Sequence, residues 1–332
     1  MVTHCVPSQH GLDGRTYDRF QILSLDGGGL RGMFAAAVLA GLEEDLDIRV
    51  VDHFDLIAGT STGGIIALAL GMGMSPREVL EFYTTHGPDI FSNPGRFRDL
   101  LHWLRAKYSS APLRSALSQV FGDKTFGNSS KRLLITSYNL NAGGVYLFRT
   151  PHLPTLTRDW RECAVDVAMA TAAAPSYFPG VSLGGARLID GGVVANNPAM
   201  IAVIEAVGPL GIQSDFVRLL SVGTTSDIPR RGRRLDRGGR LAWAGDAVDV
   251  LMRAQSENAT NQVRHLLGAD RVVRLNANVP TGAMKLDKLD SAELIGLARY
   301  ESRHQAPAFA RTFLDHVAAE YSPCHLTVGQ TA

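Results

Sequence analysis

The stretch FDLIAGTSTGGIIALAL, residues 54–70, places one hydroxyl, Ser61, between two glycines in an otherwise apolar run. FDLIAG (54–59) reads as a buried strand and Gly63–Leu70 as a buried helix. Between them Gly59-Thr60-Ser61-Thr62-Gly63 satisfies G-x-S-x-G. A sharp strand-to-helix turn leaves no room for side chains at its flanking positions and pushes the central serine hydroxyl out of the sheet. The helix that follows aims its N-terminal amides at negative charge developing there. The pentapeptide is either a nucleophile's turn or a glycine turn serving only tight packing. The strand before it and the helix after it favour the nucleophile.

A serine nucleophile needs a base and donors for the oxyanion. Gly27-Gly28-Gly29-Leu30-Arg31-Gly32 follows the short strand QILSL (21–25) and offers a run of unhindered backbone N–H groups. Asp190-Gly191-Gly192 ends the strand pattern ARLID, the position where α/β sheets carry their chemistry. His265 and His304 follow Asp190 in the order Ser…Asp…His, but both fall in helical patterns rather than turns. A Ser61–Asp190 dyad is therefore expected. A carboxylate near its ordinary pKa of about 3.9 is a weak base toward serine, so burial has to raise it or the proton has to move only in the transition state.

Strand and helix patterns alternate along the chain. Met33–Asp45 is helical; Ser75-Pro76-Arg77-Glu78 is a capping box with proline at the first helical position; RLLITSYN (132–139) and GVYLFRT (144–150) form a strand pair around a turn. Val165–Ala174 is a small-residue helix ended by Pro175, Asn197-Pro198 opens another helix, and FVRLLSVGT (216–224) is a strong buried strand. A long helix near Leu241–Leu267, a strand DRVVRLN (270–276) and two further helices complete the pattern. Such alternation predicts an α/β fold with a mostly parallel sheet covered on both faces. No internal repeat or clean linker divides it. The expected organisation is an N-terminal extension (1–20), a catalytic core (21–224) and a C-terminal helical part (225–332) packed on the same domain.

The totals agree. With 332 residues, 45% of them hydrophobic, the chain can bury a large core, and 33 basic against 32 acidic residues give no bulk charge for a DNA or RNA partner. Cys5, Cys163 and Cys324 are sparse and lack metal-ligand spacing, so no metal site and a reducing compartment are expected. The N-terminus shows no signal-peptide pattern, and the apolar run Gly63–Met74 falls short of the ~20 residues that a bilayer span takes. A cytoplasmic protein is expected, one that meets any lipid substrate from outside the membrane.

DGGGLRG, GTSTG and DGG, in that order from about Gln21 to Thr224, together closely resemble the patatin-like phospholipase family. The resemblance implies a three-layer α/β/α sandwich that hydrolyses acyl esters of membrane phospholipids without a cofactor. Ser61 would be the nucleophile, Asp190 its base, and Gly28, Gly29 and Leu30 the oxyanion hole. Gly27, Arg31, Gly32, Gly59, Gly63, Gly191 and Gly192 would complete the motifs. ATAAAPSYFPG (170–180) is a further family-like block. The segment from Gly59 to Phe91, YLFRTPH and DGGVVANNP resemble more narrowly the bacterial patatin-like effectors of CBASS anti-phage defence. That likeness implies a cyclic dinucleotide activator made by a partner nucleotidyltransferase, action on the inner membrane from the cytoplasm, and room for homo-oligomers. The alternative within the family is a constitutive lipase or esterase.

Two readings compete from outside it. Gly27–Gly32 formally satisfies G-x-G-x-x-G after a strand, with Asp52 twenty residues beyond Gly32, the pattern of a dinucleotide-binding oxidoreductase. It leaves GTSTG and DGG unexplained, and Asp52 precedes the next strand instead of ending it. A non-enzymatic nucleotide-binding protein is the other. Finally, Pro229–Arg240 (PRRGRRLDRGGR) carries six arginines against Asp236 and reads as a solvated loop or a contact for anionic headgroups. Trp103 and Tyr108 are candidates for stacking on a base or sitting at a membrane interface.

Overall fold

Strand β3 (Phe20–Leu25) is buried along its whole length. It follows a small antiparallel hairpin of two-residue strands, β1 (Gln9–His10) and β2 (Thr16–Tyr17). Side chains of β3 alternate between faces, as strand geometry requires. Phe20 and Ile22, with Leu56 and Ala58 of β4 (Leu56–Thr60), face a cluster that includes Val203 and Val263. Leu23, Leu25 and Ile57 face a second cluster, with Phe34, Leu39, Ile66, Leu68, Phe309 and Phe313. The two clusters lie on opposite faces of one sheet, which makes three layers. The computed structural model describes residues 9–92, 106–227, 239, 247–280, 287 and 290–325.

The remaining strands are β5 (Arg132–Asn139), β6 (Gly144–Arg149), β7 (Val181–Leu183), β8 (Ala186–Asp190), β9 (Val217–Val222), β10 (Ser226–Asp227), β11 (Val272–Leu275) and β12 (Asn278–Val279). The main sheet runs β11-β9-β3-β4-β5-β8-β7, with β6 also paired to β5. From β11 to β5 every pairing is parallel, whereas β6, β7 and β8 pair antiparallel. One face carries α1 (Gly32–Leu46), α2 (Thr62–Gly71), α3 (Pro76–Ile90) and the helix Ser291–Phe313; the other carries Ala199–Val207 and Ala247–Leu267. A Cβ on Gly41 of α1 would lie 2.4 Å from Ser302 Oγ, so this glycine lets the C-terminal helix approach closely.

Several expectations meet the structure directly. The Ser75–Glu78 capping box is formed, and β5 and β6 make the expected strand pair, antiparallel with Asn139 opposite Gly144. The small-residue helix ends at Thr171, ahead of Pro175, because residues 174–178 make their own turn. Of the two helices expected near the C-terminus, the described residues form one, Ser291–Phe313, capped by the Asp290 carboxylate on the amides of Ala292 and Glu293. Tyr108 is a packing residue rather than a stacking platform: its ring is buried against Phe91, Tyr177 and Phe178, and its hydroxyl donates to Asp287. Trp103, Leu241 and all of Pro229–Arg240 except Gly239 lie outside the described residues.

Candidate active site

Strand β5 sets up the site. Its residues 132–136 pair with the parallel strand β4, ending at Thr60↔Thr136. On the same edge, residues 137–139 pair with the antiparallel strand β8, beginning at Ser137↔Asp190; β6 occupies the opposite edge. The carboxyl ends of β4 and β8 therefore run toward each other and meet at Thr136–Ser137. The next residue after β4 is Ser61, and the last residue of β8 is Asp190. Ser61 Oγ donates to Asp190 Oδ2 at 2.6 Å.

The turn at Ser61 is as tight as its glycines implied. A Cβ on Gly59 would lie 2.2 Å from the Gly63 carbonyl oxygen, and one on Gly63 would lie 2.2 Å from that of Leu25. Ser61 itself has φ 55° and ψ −122°, a conformation that side chains rarely adopt and that costs about 1–3 kcal/mol. Its backbone is held by Thr171: Ser61 N donates to Thr171 Oγ1 at 2.9 Å, and Thr171 Oγ1 donates to the Thr136 carbonyl at 2.7 Å. Thr60 Oγ1 is in hydrogen-bond contact with Thr136 Oγ1 at 2.7 Å. Both threonines are fully buried, which pins the elbow to the end of β5.

Asp190 is held equally firmly. Gly192 N donates to Oδ1 at 2.7 Å, and Asp190 N donates to the Ala173 carbonyl at 3.0 Å. Gly191 packs against Thr136, where a Cβ would lie 2.1 Å from Oγ1. Burial raises the Asp190 pKa to about 6, and the hydrogen bonds from Ser61 and Gly192 oppose the rise. The carboxylate is thus a better base than an exposed aspartate while still ionised at neutral pH.

The glycine loop passes beside the serine. A Cβ on Gly27 would lie 3.2 Å from Ser61 Cβ. Gly27 N donates to the Asn196 carbonyl, and Thr224 Oγ1 donates to the Gly27 carbonyl, both at 2.9 Å. Gly29 takes φ 59°, and Gly29–Arg31 forms a short 3-10 turn that holds Leu30 and leads into α1. At Gly32 a Cβ would lie 2.1 Å from Thr62 Oγ1, so the N-termini of α1 and α2 adjoin next to Ser61. Two helix N-termini at one point favour negative charge there. Asp26, just before the loop, is clamped by Arg274 of β11 through Nη1 at 2.9 Å and Nη2 at 2.5 Å.

The structure brings Ser61, Asp190, Gly27, Gly59, Gly63, Gly191 and Gly192 to one place, with Gly28, Gly29, Leu30, Arg31 and Gly32 on the adjoining loop. His265 and His304 are exposed on their helices, and His304 stacks on Tyr300. Asp52 lies in the turn Val50–His53 at the amino end of β4, away from the glycine loop at the carboxyl end of β3. The acid that this pattern requires, Asp52, is thus at the other end of the sheet from the loop, so the oxidoreductase pattern is coincidental. Among the described residues no group of three or more His, Cys, Asp or Glu is placed to hold a metal ion, and no helix is long and apolar enough to cross a membrane. Sequence reasoning assigned no role to Thr136, Thr171 or Asn196. The last two stand in blocks already quoted, ATAAAPSYFPG and DGGVVANNP; Thr136 carries no signal of its own.

An elbow serine thus sits on a buried aspartate beside a glycine loop, and residues 23–203 match the model of the patatin-like phospholipase family. The chain belongs to that family and is a carboxylic ester hydrolase of its kind. Its curated relatives include the "cGAMP-activated phospholipase" of Pseudomonas aeruginosa, 39% identical over 75% of this chain and 76% of the relative. The protein of the same description from Vibrio cholerae is 33% identical over 86% of this chain and 89% of its own length. That from Escherichia coli is 39% identical, with 63% of each chain covered.

Proposed function

We propose that the chain is a phospholipase that cleaves acyl esters of membrane phospholipids through Ser61 and Asp190, under the control of a cyclic dinucleotide. The observation that carries the chemistry is the 2.6 Å hydrogen bond from Ser61 Oγ to a buried carboxylate whose pKa is raised to about 6. Asp190 takes the serine proton as Oγ attacks the ester carbonyl. Backbone amides of Gly28, Gly29 and Leu30, with the N-termini of α1 and α2, stabilise the oxyanion; one such donor is worth about 2.7–4 kcal/mol. The alcohol leaves with the proton, and water activated by Asp190 releases the fatty acid.

Control by a cyclic dinucleotide is supported by the relatives at 33–39% identity, each described as cGAMP-activated. On this reading the protein is a CBASS effector that a nucleotidyltransferase product switches on and that then degrades the cell's own membrane. The test is fatty-acid release from phospholipid vesicles with and without cGAMP and other cyclic dinucleotides. Release only with a nucleotide is expected. Constitutive release would leave a lipase without nucleotide control, and no release with Ser61 unlabelled by a fluorophosphonate would remove both assignments.

A further inference from the structure

Asn196 lies between the two glycine segments of the site. Its carboxamide oxygen would be 2.6 Å from a Cβ on Gly27 and 3.4 Å from one on Gly192. The same two positions lie 3.2 Å from Ser61 Cβ and 3.1 Å from Asp190 Oδ1. The missing Cβ atoms thus keep open the space that the amide oxygen faces. Asn196 is nine-tenths buried, and its Oδ1 has no hydrogen-bond partner among the described residues. The other end of the amide is anchored, with Nδ2 donating to Ser256 Oγ at 3.3 Å. A buried acceptor without a donor is uncommon in a native protein and calls for an explanation.

We infer that Asn196 holds the water that hydrolyses the acyl-enzyme; the inference rests on the Ser61–Asp190 mechanism proposed above. In the free enzyme Asp190 Oδ1 accepts from Gly192 N and Oδ2 from Ser61 Oγ. Acylation turns Oγ into an ester oxygen, so Oδ2 loses its donor. Two acceptors, Asp190 Oδ2 and Asn196 Oδ1, then flank the acyl-serine without a proton between them. A water molecule carries two donors, one for each, and its oxygen lone pair is left for the acyl carbon. As the water oxygen bonds that carbon, its O–H toward Asp190 breaks and the proton passes to Oδ2. The tetrahedral species then breaks its bond to Ser61 Oγ, which takes the proton back, and the fatty acid leaves.

The test separates the two half-reactions in the full chain with cGAMP present. Asn196→Ala is compared with wild type by fluorophosphonate labelling of Ser61, by stopped-flow release of p-nitrophenol from a short-chain ester, and by intact mass. Labelling and the first turnover are expected to stay within about threefold. Steady-state turnover is expected to fall on the order of 10–100-fold, with an acyl adduct accumulating on Ser61. Ser256→Ala, which loosens the amide without removing its oxygen, should slow deacylation in the same selective way by a smaller factor. Should Asn196→Ala not fold, Ser256→Ala decides alone. Equal loss of labelling and turnover would overturn the inference, since it would mark a scaffold residue or an amide turned over to serve the oxyanion. Unchanged turnover would overturn it too. Absence of labelling in wild type would count against the dyad instead.

Discussion

Ser137 pairs with Asp190 on the same edge of β5 where, one residue earlier, Thr136 pairs with Thr60. A parallel and an antiparallel strand thereby share one edge and present their carboxyl ends to each other. The elbow and the aspartate need no loop to bring them together, because hydrogen-bond register does it. Ser61 and Asp190 are separated by 129 residues of sequence and by 2.6 Å in space.

In the proposed mechanism Ser61 and Asp190 act as a unit, so single replacements should cost nearly as much as the double one. Ser61→Ala, Asp190→Ala and the double variant are each expected to lower kcat for ester hydrolysis by about 10⁴-fold or more, without the multiplicative loss of independent sites. Circular dichroism and vesicle assays on the three proteins check this. A double variant far below both singles would mean the residues contribute separately.

Asp190 also predicts a trade between stability and activity. Its folded pKa, about 6, lies above the ordinary 3.8. Between those values the native state keeps a proton that the unfolded chain has lost, so stability falls as pH rises through that window and stays lowered above it. The full cost is about 3 kcal/mol. Asp190→Asn should therefore be inactive yet melt higher than wild type at pH 7–8, with the gap closing below pH 4. Turnover by wild type should rise with pH around pH 6, as the base loses its proton. Denaturant titrations and rate profiles across pH 4–8 measure both.

The fold and the meeting of Ser61 with Asp190 were legible because each motif depends on local sterics. Gly59 and Gly63 announce a turn that admits no Cβ, and Gly191 announces another against Thr136. Strand and helix periodicity located β3, β4, β5 and β9 to within a residue or two. The supports were not legible. Thr171 sits in a helix and reads as filler, and its role follows only from the helix end being set against the elbow. Arg274 looks like any strand arginine until the parallel register of β9, β11 and β3 puts it beside Asp26. Tyr108 reads as a stacking candidate because its neighbours in sequence are polar, while the partners that bury it, Phe91, Tyr177 and Phe178, are brought in by the fold.

Thr171 should matter to rate more than to affinity. Thr171→Val keeps the shape but leaves the Ser61 amide and the Thr136 carbonyl without their partner, in a residue already held at φ 55°. Loss of about 1–3 kcal/mol in stability is expected from the orphaned groups. A fall in kcat on the order of 10–100-fold with little change in KM should accompany it, as the hydroxyl drifts from its attack position. Thr171→Ser, which restores the hydroxyl, should recover most of both. Recovery of stability without recovery of kcat would show that Thr171 serves packing alone.

The last prediction concerns how lipid reaches the site. Val193, Val250 and Leu251 are 43%, 42% and 61% exposed. Val193 follows Gly192 in the chain, and the helix that carries Val250 and Leu251 meets this segment: the Gln255 side chain donates to the Val193 carbonyl, and the Met252 methyl lies 3.5 Å from a Cβ placed on Gly192. An apolar side chain moved from water into acyl chains gains about 1.5–3 kcal/mol when fully buried. Leu251→Glu replaces that gain with the cost of bringing a charge to the bilayer. Release of fatty acid from vesicles should drop tenfold or more, while hydrolysis of a soluble short-chain ester stays within about twofold. Sedimentation with vesicles should show the same loss, and Leu251→Ile should show none. Equal activity of Leu251→Glu on both substrates would place lipid entry on another face of the molecule.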